Sequence, residues 1–444
     1  MGEKLGGIGR PNPLERKRDP SAETTEGQDG LGQDLTFEDP AVERVGNEIA
    51  QRHVRELDAD MEYHKFEHPR SVWGRMQVLG KILKIDDHTM NVGYVAGLGH
   101  DLVQDADITP YNPDDPTTIV KMRARHRGMY EGDNPPFGKS GNEGRTAGEV
   151  IAYMDQVNQE AGRVIYDQED KALAEFMIAC TYPEFGFNPF EKRGDEKPEE
   201  AKRREYYTAA IQGNPQIAEI IEDLQGERNV TAGLLIWAKH LDDRLDAAME
   251  AASIPEKEAR FLKAGFMMSQ ADLGSSVMEE SGKFFAEGDK EFIESYPNLK
   301  DPEVKKLLMT EGGDANDTHS PAGARKLVAG EMLKWLNIQV GVAAWQGVST
   351  NKRRMQMEHL GLLDSLQSHD LDMVCGRADD NARSAAFRAS PADSDDDQFF
   401  GERGAYERAL AGKSILRSDG SEVPGNEYNA FIQLSHAMHY HPEA

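Results

Sequence analysis

Six ionisable residues between Tyr63 and Asp107 stand beside apolar helical pattern, and their types and spacing suit the binding of a divalent metal ion. Histidine and aspartate supply the nitrogen and oxygen ligands that such ions take in proteins. A metal ion that acidifies a bound water is the simplest route from such a cluster to hydrolysis. The six residues are His64, His68, His100, Asp101, Asp105 and Asp107.

The adjacent pair His100 and Asp101 is the most specific part of this segment. It stands near the end of a predicted helix, with leucine on both sides at Leu98 and Leu102. Burying an ionisable pair on an apolar helix is costly unless the pair is neutralised or bound to a metal ion. Adjacent helical residues diverge by about 100°, so both side chains can reach one ion only if it lies between that helix and a neighbouring one.

The neighbouring helix can supply His68, because that residue opens the preceding predicted helix. His64 lies four residues earlier and shares its face if the helix begins early enough. Each of these histidines, taken alone, is more simply a helix cap or a surface residue. One carboxylate from far along the chain would complete the site, either Asp272 in an apolar segment of small residues or Asp243 in an acidic helix. The apolar surroundings favour Asp272, since an isolated carboxylate there needs a partner.

Apolar residues recur at helical spacing along most of the chain. There is no internal repeat and no alternation of the kind that marks strands, so the sequence predicts an all-α fold. A polar segment at 106–141 is predicted to be a long loop around one short helix, and loops of this length are often functional. Helices are predicted at 42–57, 69–85, 88–105, 120–126, 142–162, 170–181, 199–212, 214–225, 229–251, 255–287, 302–309 and 321–362.

Composition divides the chain into three regions. Residues 1–38 are polar and rich in glycine and proline, which predicts a disordered leader. Residues 39–365 carry the helical pattern, with a polar insertion around 183–255. Residues 366–444 form an acidic C-terminal region that is predicted to be weakly ordered.

Charge and cysteine content narrow the class of protein. The 444-residue chain has a formal net charge of -28, which disfavours nucleic acid as a partner. An anionic substrate stays open, because a metal ion inverts the local field. The two cysteines are far apart, the N-terminus lacks an apolar signal core, and the longest apolar run is too short for a bilayer. We therefore expect a cytoplasmic protein with no membrane partner, while monomer and homo-oligomer both stay open.

The order of His68, the His100–Asp101 pair and a distant aspartate resembles the signature of the HD-domain phosphohydrolases, which are all-helical metal enzymes. The specific stretches are His-Pro-x-x-Val from His68 and His-Asp-Leu-Val-Gln-Asp from His100. The resemblance extends over residues 40–365, although its motifs occupy only a few short stretches. It implies an HD-domain-like helical bundle, here with helical insertions and disordered termini. It also implies a divalent ion, namely manganese, iron, magnesium, cobalt or zinc, held by His68, His100, Asp101 and the distant aspartate.

Two subgroups of that family compete for the chain. The small metal-dependent phosphohydrolases have an Asn-Glu-x-x-Ser-Ala helix start and an Ala-Asp-Leu, which residues 142–147 and 271–273 resemble. This subgroup makes Asp272 the last ligand. The guanosine tetraphosphate hydrolases have His-Asp-x-x-Glu-Asp and Ala-Asp-Arg-Leu motifs, and similarity to the second would make Asp243 the ligand instead. Gln104 replaces the glutamate of their first motif, which counts against that activity.

Several further residues are candidates for a reaction site, and each also fits an ordinary structural position. Three groups could manage protons, while a basic cluster that is unusual in so acidic a chain could bind phosphate. The basic turn 352–354 is instead predicted to be solvated surface. The proton-handling candidates are Glu143, His64 and Asp105, and the substrate-binding candidates are His126, Arg123 and Arg127.

The sequence therefore predicts metal-dependent hydrolysis of a phosphoester, with a nucleotide or another small phosphorylated metabolite as substrate. A guanosine tetraphosphate hydrolase-like enzyme is one alternative. Another is a non-catalytic HD scaffold or nucleotide sensor, which the long segment between Glu143 and Asp272 and the acidic ends of the chain favour.

Overall fold

A computed structural model describes residues 37–57, 61–129, 141–184, 237–310 and 312–388, with two short strands at 415–416 and 422–423. The chain forms two contact units, Met1–Thr36 and Phe37–Ala444, and all described residues belong to the second. The predicted leader, except for its last two residues, lies outside the described residues. The same holds for most of the predicted insertion, including the helices expected at 199–212 and 214–225.

The described part of the chain is mainly helical, as predicted. Aspartate N-caps begin five of the helices, and each carboxylate accepts a hydrogen bond from a backbone N–H of the first turn. The helices are α1 (Pro40–Glu56), α2 (Glu67–Leu83), α3 (Asp87–Gly99), α4 (Asn142–Ala161), α5 (Gln168–Ala179), α6 (Lys239–Glu250), α7 (Glu256–Leu273), α8 (Ser275–Met278), α9 (Ser281–Ser295), α10 (Pro302–Met309), α11 (Pro321–His359), α12 (Ser365–Val374) and α13 (Ala378–Arg388).

Short antiparallel strand pairs join parts of the connecting segments. They are β1 (Ala106–Asp107) with β2 (Ala124–Arg125), β3 (Pro183–Glu184) with β4 (Trp237–Ala238), and β5 (Ile415–Leu416) with β6 (Glu422–Val423).

The long loop contains one of these strand pairs in place of its predicted helix. The prediction of a helix at 120–126 is wrong, because a 3₁₀ turn covers Pro116–Val120 and the chain then becomes extended. Arg125 pairs with Ala106. This pairing brings the basic segment beside the chain that follows Asp101.

Helices α2 and α3 form a close hairpin that positions the site. Lys84, with a left-handed φ of 54°, ends α2, and Asp86 caps α3 two residues later. A Cβ atom on Gly97 would lie 2.7 Å from the sulphur of Met76, so the two helices approach too closely for a side chain there. Because the helices are joined by so short a turn, the first turn of α2 lies beside the last turn of α3.

Helix α7 packs against both members of this hairpin. The prediction of one helix at 255–287 is wrong, since the chain breaks after Leu273 and again at Glu279 to give α7, α8 and α9. The first break leaves the last turn of α7, with Asp272, at the end of a helix rather than in its middle.

The 39-residue α11 packs against α13, α10 and α8. The prediction that residues 352–354 are solvated is wrong for two of them: Lys352 and Arg353 are 2% and 1% exposed. Nε and Nη2 of Arg353 donate to the two carboxylate oxygens of Asp242 on α6, at 3.1 and 2.8 Å. The guanidinium of Arg353 is therefore buried together with the carboxylate of Asp242, to which it is paired.

Order extends farther along the chain than the composition predicts. Residues 366–388, which open the predicted weakly ordered region, form most of α12 and all of α13, and both helices pack against α11. The aspartate run at 393–397 lies outside the described residues. None of the described helices, α11 included, combines the length and apolar character of a membrane span.

His53 on α1 makes stability depend on pH. It is fully buried, and its Nε2 lies 2.9 Å from the carbonyl oxygen of Leu98. Burial lowers the pKa of His53 from 6.5 to about 4. The unfolded chain therefore gains a proton here at a higher pH than the folded chain. The stability that the neutral imidazole contributes is complete above pH 6.5 and is lost as the pH falls towards 4.

Glutamine does not titrate, so His53→Gln removes this source of pH dependence. We expect the free energy of unfolding of the variant to fall by about 2 kcal/mol less than that of the natural chain when the pH is lowered from 7 to 5. Urea unfolding of both proteins at the two pH values, with a chelator present, measures this difference. Equal losses in the two proteins would contradict the assignment.

Candidate metal centre

Four side chains from three helices converge on one point. His68 comes from the first turn of α2, His100 and Asp101 from the end of α3, and Asp272 from the last turn of α7. One ligand atom of each lies within 4.8 Å of the other three. Nε2 of His68 is 3.0 Å from Oδ1 of Asp272, and Nε2 of His100 is 2.9 Å from Oδ2 of Asp101. Both histidines are buried, and both aspartates are partly buried.

These separations fit one shared ion. With bonds of about 2.1 Å, neighbouring ligands lie about 3.0 Å apart in an octahedral centre and about 3.4 Å apart in a tetrahedral one. The two Nε2 atoms are 3.3 Å apart, a separation that places two imidazole lone pairs well for one cation. Oδ2 of Asp101 is buried and faces both histidines, 3.2 Å from Nε2 of His68 and 2.9 Å from Nε2 of His100. The donor set therefore fits a divalent ion.

Residues behind the cluster fix the direction of its side chains. Nδ1 of His100 donates to the carbonyl oxygen of Gly97 at 2.8 Å, which leaves Nε2 as the ligand nitrogen. Gln104 donates to Oδ1 of Asp101 at 2.8 Å. Nε of Arg75 donates to the carbonyl oxygen of Ala271 at 2.5 Å and so holds the last turn of α7. Gln104, which departs from the tetraphosphate hydrolase motif, thus has a defined place as the residue that orients Asp101.

The two histidines and the two aspartates stabilise each other's charged forms. Burial alone would lower the pKa of His68 and His100, but the hydrogen bonds and charges of the aspartates outweigh it and raise both. Burial likewise opposes ionisation of Asp101 and Asp272, yet the histidines hold both pKa values below the ordinary range. A divalent ion and protons therefore compete for the histidine nitrogens. The carboxyl ends of α3 and α7 also favour a cation at this point.

The cluster opens onto a cavity of about 510 Å³. Arg123, Arg125 and Arg127 line it, because alternate residues of an extended segment face the same side. The same alternation turns His126 away: it does not line the cavity, and its Nε2 lies 3.3 Å from Oδ2 of Asp107. The position of His126 therefore does not support the prediction that it binds substrate. Arg125 lines the cavity in its place.

Asp105 and Asp243, the less favoured candidate for the last ligand, both lie outside the metal cluster. Asp105 does not line the cavity; it forms an ion pair with Arg145, and both side chains are about half exposed. Asp243 is exposed on α6 and does not join the cluster, since its neighbour Asp242 takes the buried face. Glu143 does line the cavity, and Oε2 of its carboxylate accepts from the backbone N–H of Gly128 at 2.6 Å.

A buried glutamate that the sequence analysis missed holds His64. Glu294 on α9 accepts from Nδ1 of His64 at 2.5 Å and from Nη2 of Arg125 at 2.8 Å. Its other oxygen accepts from the backbone N–H of Glu62, Tyr63 and His64. Burial would raise the pKa of Glu294, but the charges and hydrogen bonds of His64 and Arg125 outweigh it and hold the pKa well below its usual range.

The sequence contains one signal for this residue. Glu287, Glu291 and Glu294 are spaced four and three residues apart, so they share one face of α9. Glu287 and Glu291 both line the cavity.

Comparisons with protein-family models, with curated proteins and with solved structures found no match to this chain.

The two candidate aspartates provide a matched test of the metal centre. We expect Asp272→Asn to weaken manganese binding roughly 100-fold or more, because it removes a charged ligand. Asp243→Asn, the same exchange at the exposed alternative, should bind manganese as the natural chain does. Calorimetric titration of the chelator-treated proteins measures both affinities. Equal affinity in the two variants would exclude Asp272 as a ligand.

Proposed function

We propose that the chain is a metal-dependent phosphohydrolase with an HD-domain-like fold, acting on a small phosphorylated substrate. One observation carries the proposal: His68, His100, Asp101 and Asp272 converge at the wall of a cavity that three arginines also line. A cation site and guanidinium groups around one cavity suit the several charged oxygens of a phosphoryl group.

Contacts of α4 support the resemblance to the small metal-dependent phosphohydrolases. The Asn142 side chain accepts from the backbone N–H of Asp105 and donates to its carbonyl oxygen. The Thr146 hydroxyl accepts from the backbone N–H of Val103 at 3.1 Å. The segment that resembles Asn-Glu-x-x-Ser-Ala thus fastens the chain that follows the His-Asp pair. The exposed position of Asp243 does not favour the guanosine tetraphosphate hydrolase alternative.

Different residues would bind the metal ion and the phosphate in such a reaction. The chemistry that a bound divalent ion supplies is polarisation of a phosphoryl oxygen and acidification of a water molecule. The histidine and aspartate ligands suit manganese, iron, magnesium, cobalt or zinc. Arg125 and Arg127 line the cavity and supply positive charge for the remaining phosphate oxygens.

His64 is the candidate for proton transfer. Its Nδ1 donates to Glu294, so Nε2 is the nitrogen left to exchange a proton with a bound substrate. The buried carboxylate fixes the ring, and the ring lines the cavity beside His68, with 5.6 Å between the ring centroids. Glu143 supplies a second carboxylate to the same cavity.

Removal of a core ligand tests whether hydrolysis needs the metal centre. We expect Asp101→Ala and His100→Ala each to abolish stoichiometric metal uptake and hydrolysis of p-nitrophenyl phosphate in added manganese. Elemental analysis and a colour assay measure the two properties on the same preparations. Full activity in metal-free Asp101→Ala protein would refute the proposal. A natural chain that takes up no metal and hydrolyses no phosphoester would favour the scaffold or sensor alternative.

A second pair of variants tests His64 separately from metal binding. We expect His64→Gln to retain manganese and to lower kcat roughly 100-fold, since general acid–base groups contribute about that much or more. Glutamine can still donate to Glu294, so the local structure should hold. His126→Gln, the same exchange outside the cavity, should keep the natural kcat. An undiminished kcat in His64→Gln would remove His64 from the reaction.

A further inference from the structure

Part of the cavity wall carries no metal ligand and comes from α9 and α11. Five α11 residues line it, and their spacing of three or four residues, or multiples of it, places them on one face of the helix. They are Trp335, Ile338, Gln339, Val342 and Gln346. Phe284 and Gly288 of α9 adjoin this face of α11, and Glu287 and Glu291 of α9 also line the cavity. The α11 face itself is mostly apolar, with two amides among aromatic and aliphatic side chains.

Both glutamine side chains are buried, and three of their four amide atoms lack a hydrogen-bonding partner among the described residues. Gln339 is 4% exposed and Gln346 is 1% exposed. Neither amide atom of Gln339, nor Nε2 of Gln346, forms a hydrogen bond with a described residue. A buried amide that remains unpaired is costly, and native proteins contain few of them without a functional reason. Because both side chains line the cavity, a polar group of a ligand is the partner that fits them.

Gly288 shows that the position of Gln339 is built into the fold. A Cβ atom on Gly288 would lie 1.7 Å from Nε2 of Gln339, so a larger residue there would displace the end of the glutamine side chain from this position. The carbonyl oxygen of the same glycine accepts from Nε1 of Trp335 at 3.0 Å. One backbone position of α9 thus places both the indole ring and the amide.

We propose that Gln339 and Gln346 determine substrate specificity by binding the hydrogen-bonding edge of a planar heterocycle whose ring packs on Trp335. The inference rests on the proposed function, because the phosphate of the same substrate lies at the metal centre. A glutamine amide offers one acceptor and two donors, which match the adjacent donor and acceptor of a nucleobase edge. A flat ring also covers the apolar surface of Trp335, Phe284 and Val342.

Glu287 is placed to bind the sugar that joins the base and the phosphate in a nucleotide. Its Oε2 is buried and has no hydrogen-bonding partner within the described residues, and the residue lines the cavity. A carboxylate oxygen accepts hydrogen bonds from sugar hydroxyls, as acidic residues do in dinucleotide sites. The cavity therefore provides arginines for phosphate, a carboxylate for hydroxyls and amides for a base. The substrate class that uses all three is a nucleoside phosphate.

Binding without turnover tests the inference. Adenosine, guanosine, cytidine and uridine, their monophosphates and ribose 5-phosphate are titrated by calorimetry into chelator-treated full-length protein. At least one nucleoside and its monophosphate should bind at least tenfold more tightly than ribose 5-phosphate. Gln339→Leu and Gln346→Leu should each weaken that binding about tenfold, the loss typical of one hydrogen bond in a built site. Gly288→Ala should weaken it as well, since it displaces the Gln339 amide without removing it.

Two controls separate recognition from folding. The unfolding temperatures of Gln339→Leu and Gln346→Leu should equal or exceed the natural value, because each exchange removes an unpaired buried amide. Gln356→Leu changes a buried glutamine of the same helix, whose Nε2 donates to Asp246 at 2.8 Å. It should lower the unfolding temperature and leave nucleoside binding unchanged.

The outcomes distinguish this inference from the proposed function. Ribose 5-phosphate binding as tightly as every nucleotide, or undiminished binding in both cavity variants, would overturn the inference even if the protein hydrolyses phosphoesters. Nucleoside binding that depends on both glutamines, in a protein inactive with every divalent metal, would support it and overturn only the proposed reaction.

Discussion

The burial of two histidines and two aspartates at one point is the constraint on which the rest of the structure depends. Charged groups lose much solvation energy inside a protein unless each is paired or bound to an ion. The fold meets this cost by bringing the start of α2 and the ends of α3 and α7 to the same place, so that short side chains reach one centre. Gly97, Gln104 and Arg75 then hold the ring of His100, the carboxylate of Asp101 and the last turn of α7.

A buried charge in the wall of the cavity is likewise surrounded by partners. Glu294 is fully buried, yet three backbone N–H groups, an imidazole and a guanidinium surround it. This carboxylate joins the turn before α2 to α9 and to the strand pair, so it fixes His64 and Arg125 with respect to the metal cluster. A single buried charge thus organises three separate chain segments around one cavity, which no local sequence pattern could do.

The sequence predicts well those features that depend on local pattern. The helical pattern followed from apolar spacing, and the choice of Asp272 over Asp243 followed from its apolar surroundings; the structure brings Asp272 to the other three residues. Features that depend on chain breaks or distant partners could not be predicted in this way. Helix α3 ends at Gly99 rather than near Asp105, and His100 follows it as a C-cap that keeps helical dihedral angles. His126 was misplaced because a strand replaces the predicted helix, and Arg353 because its partner, Asp242, lies on another helix.

The cavity has a charged region around the metal cluster and a second region that contains the amides of Gln339 and Gln346. A ligand that fits the cavity must match both regions. Around the metal cluster, His64 and Arg125 are paired with buried carboxylate before any ligand arrives, so this region is preorganised for charge. The Gln339 amide and Nε2 of Gln346 are instead buried without hydrogen-bonding partners among the described residues, at a cost to the stability of the folded chain. A ligand that contacted only the charged region would leave these amide atoms unpaired, and the loss of stability would remain. A small anion is therefore a poorer match than a molecule that carries a phosphate and a hydrogen-bonding ring together.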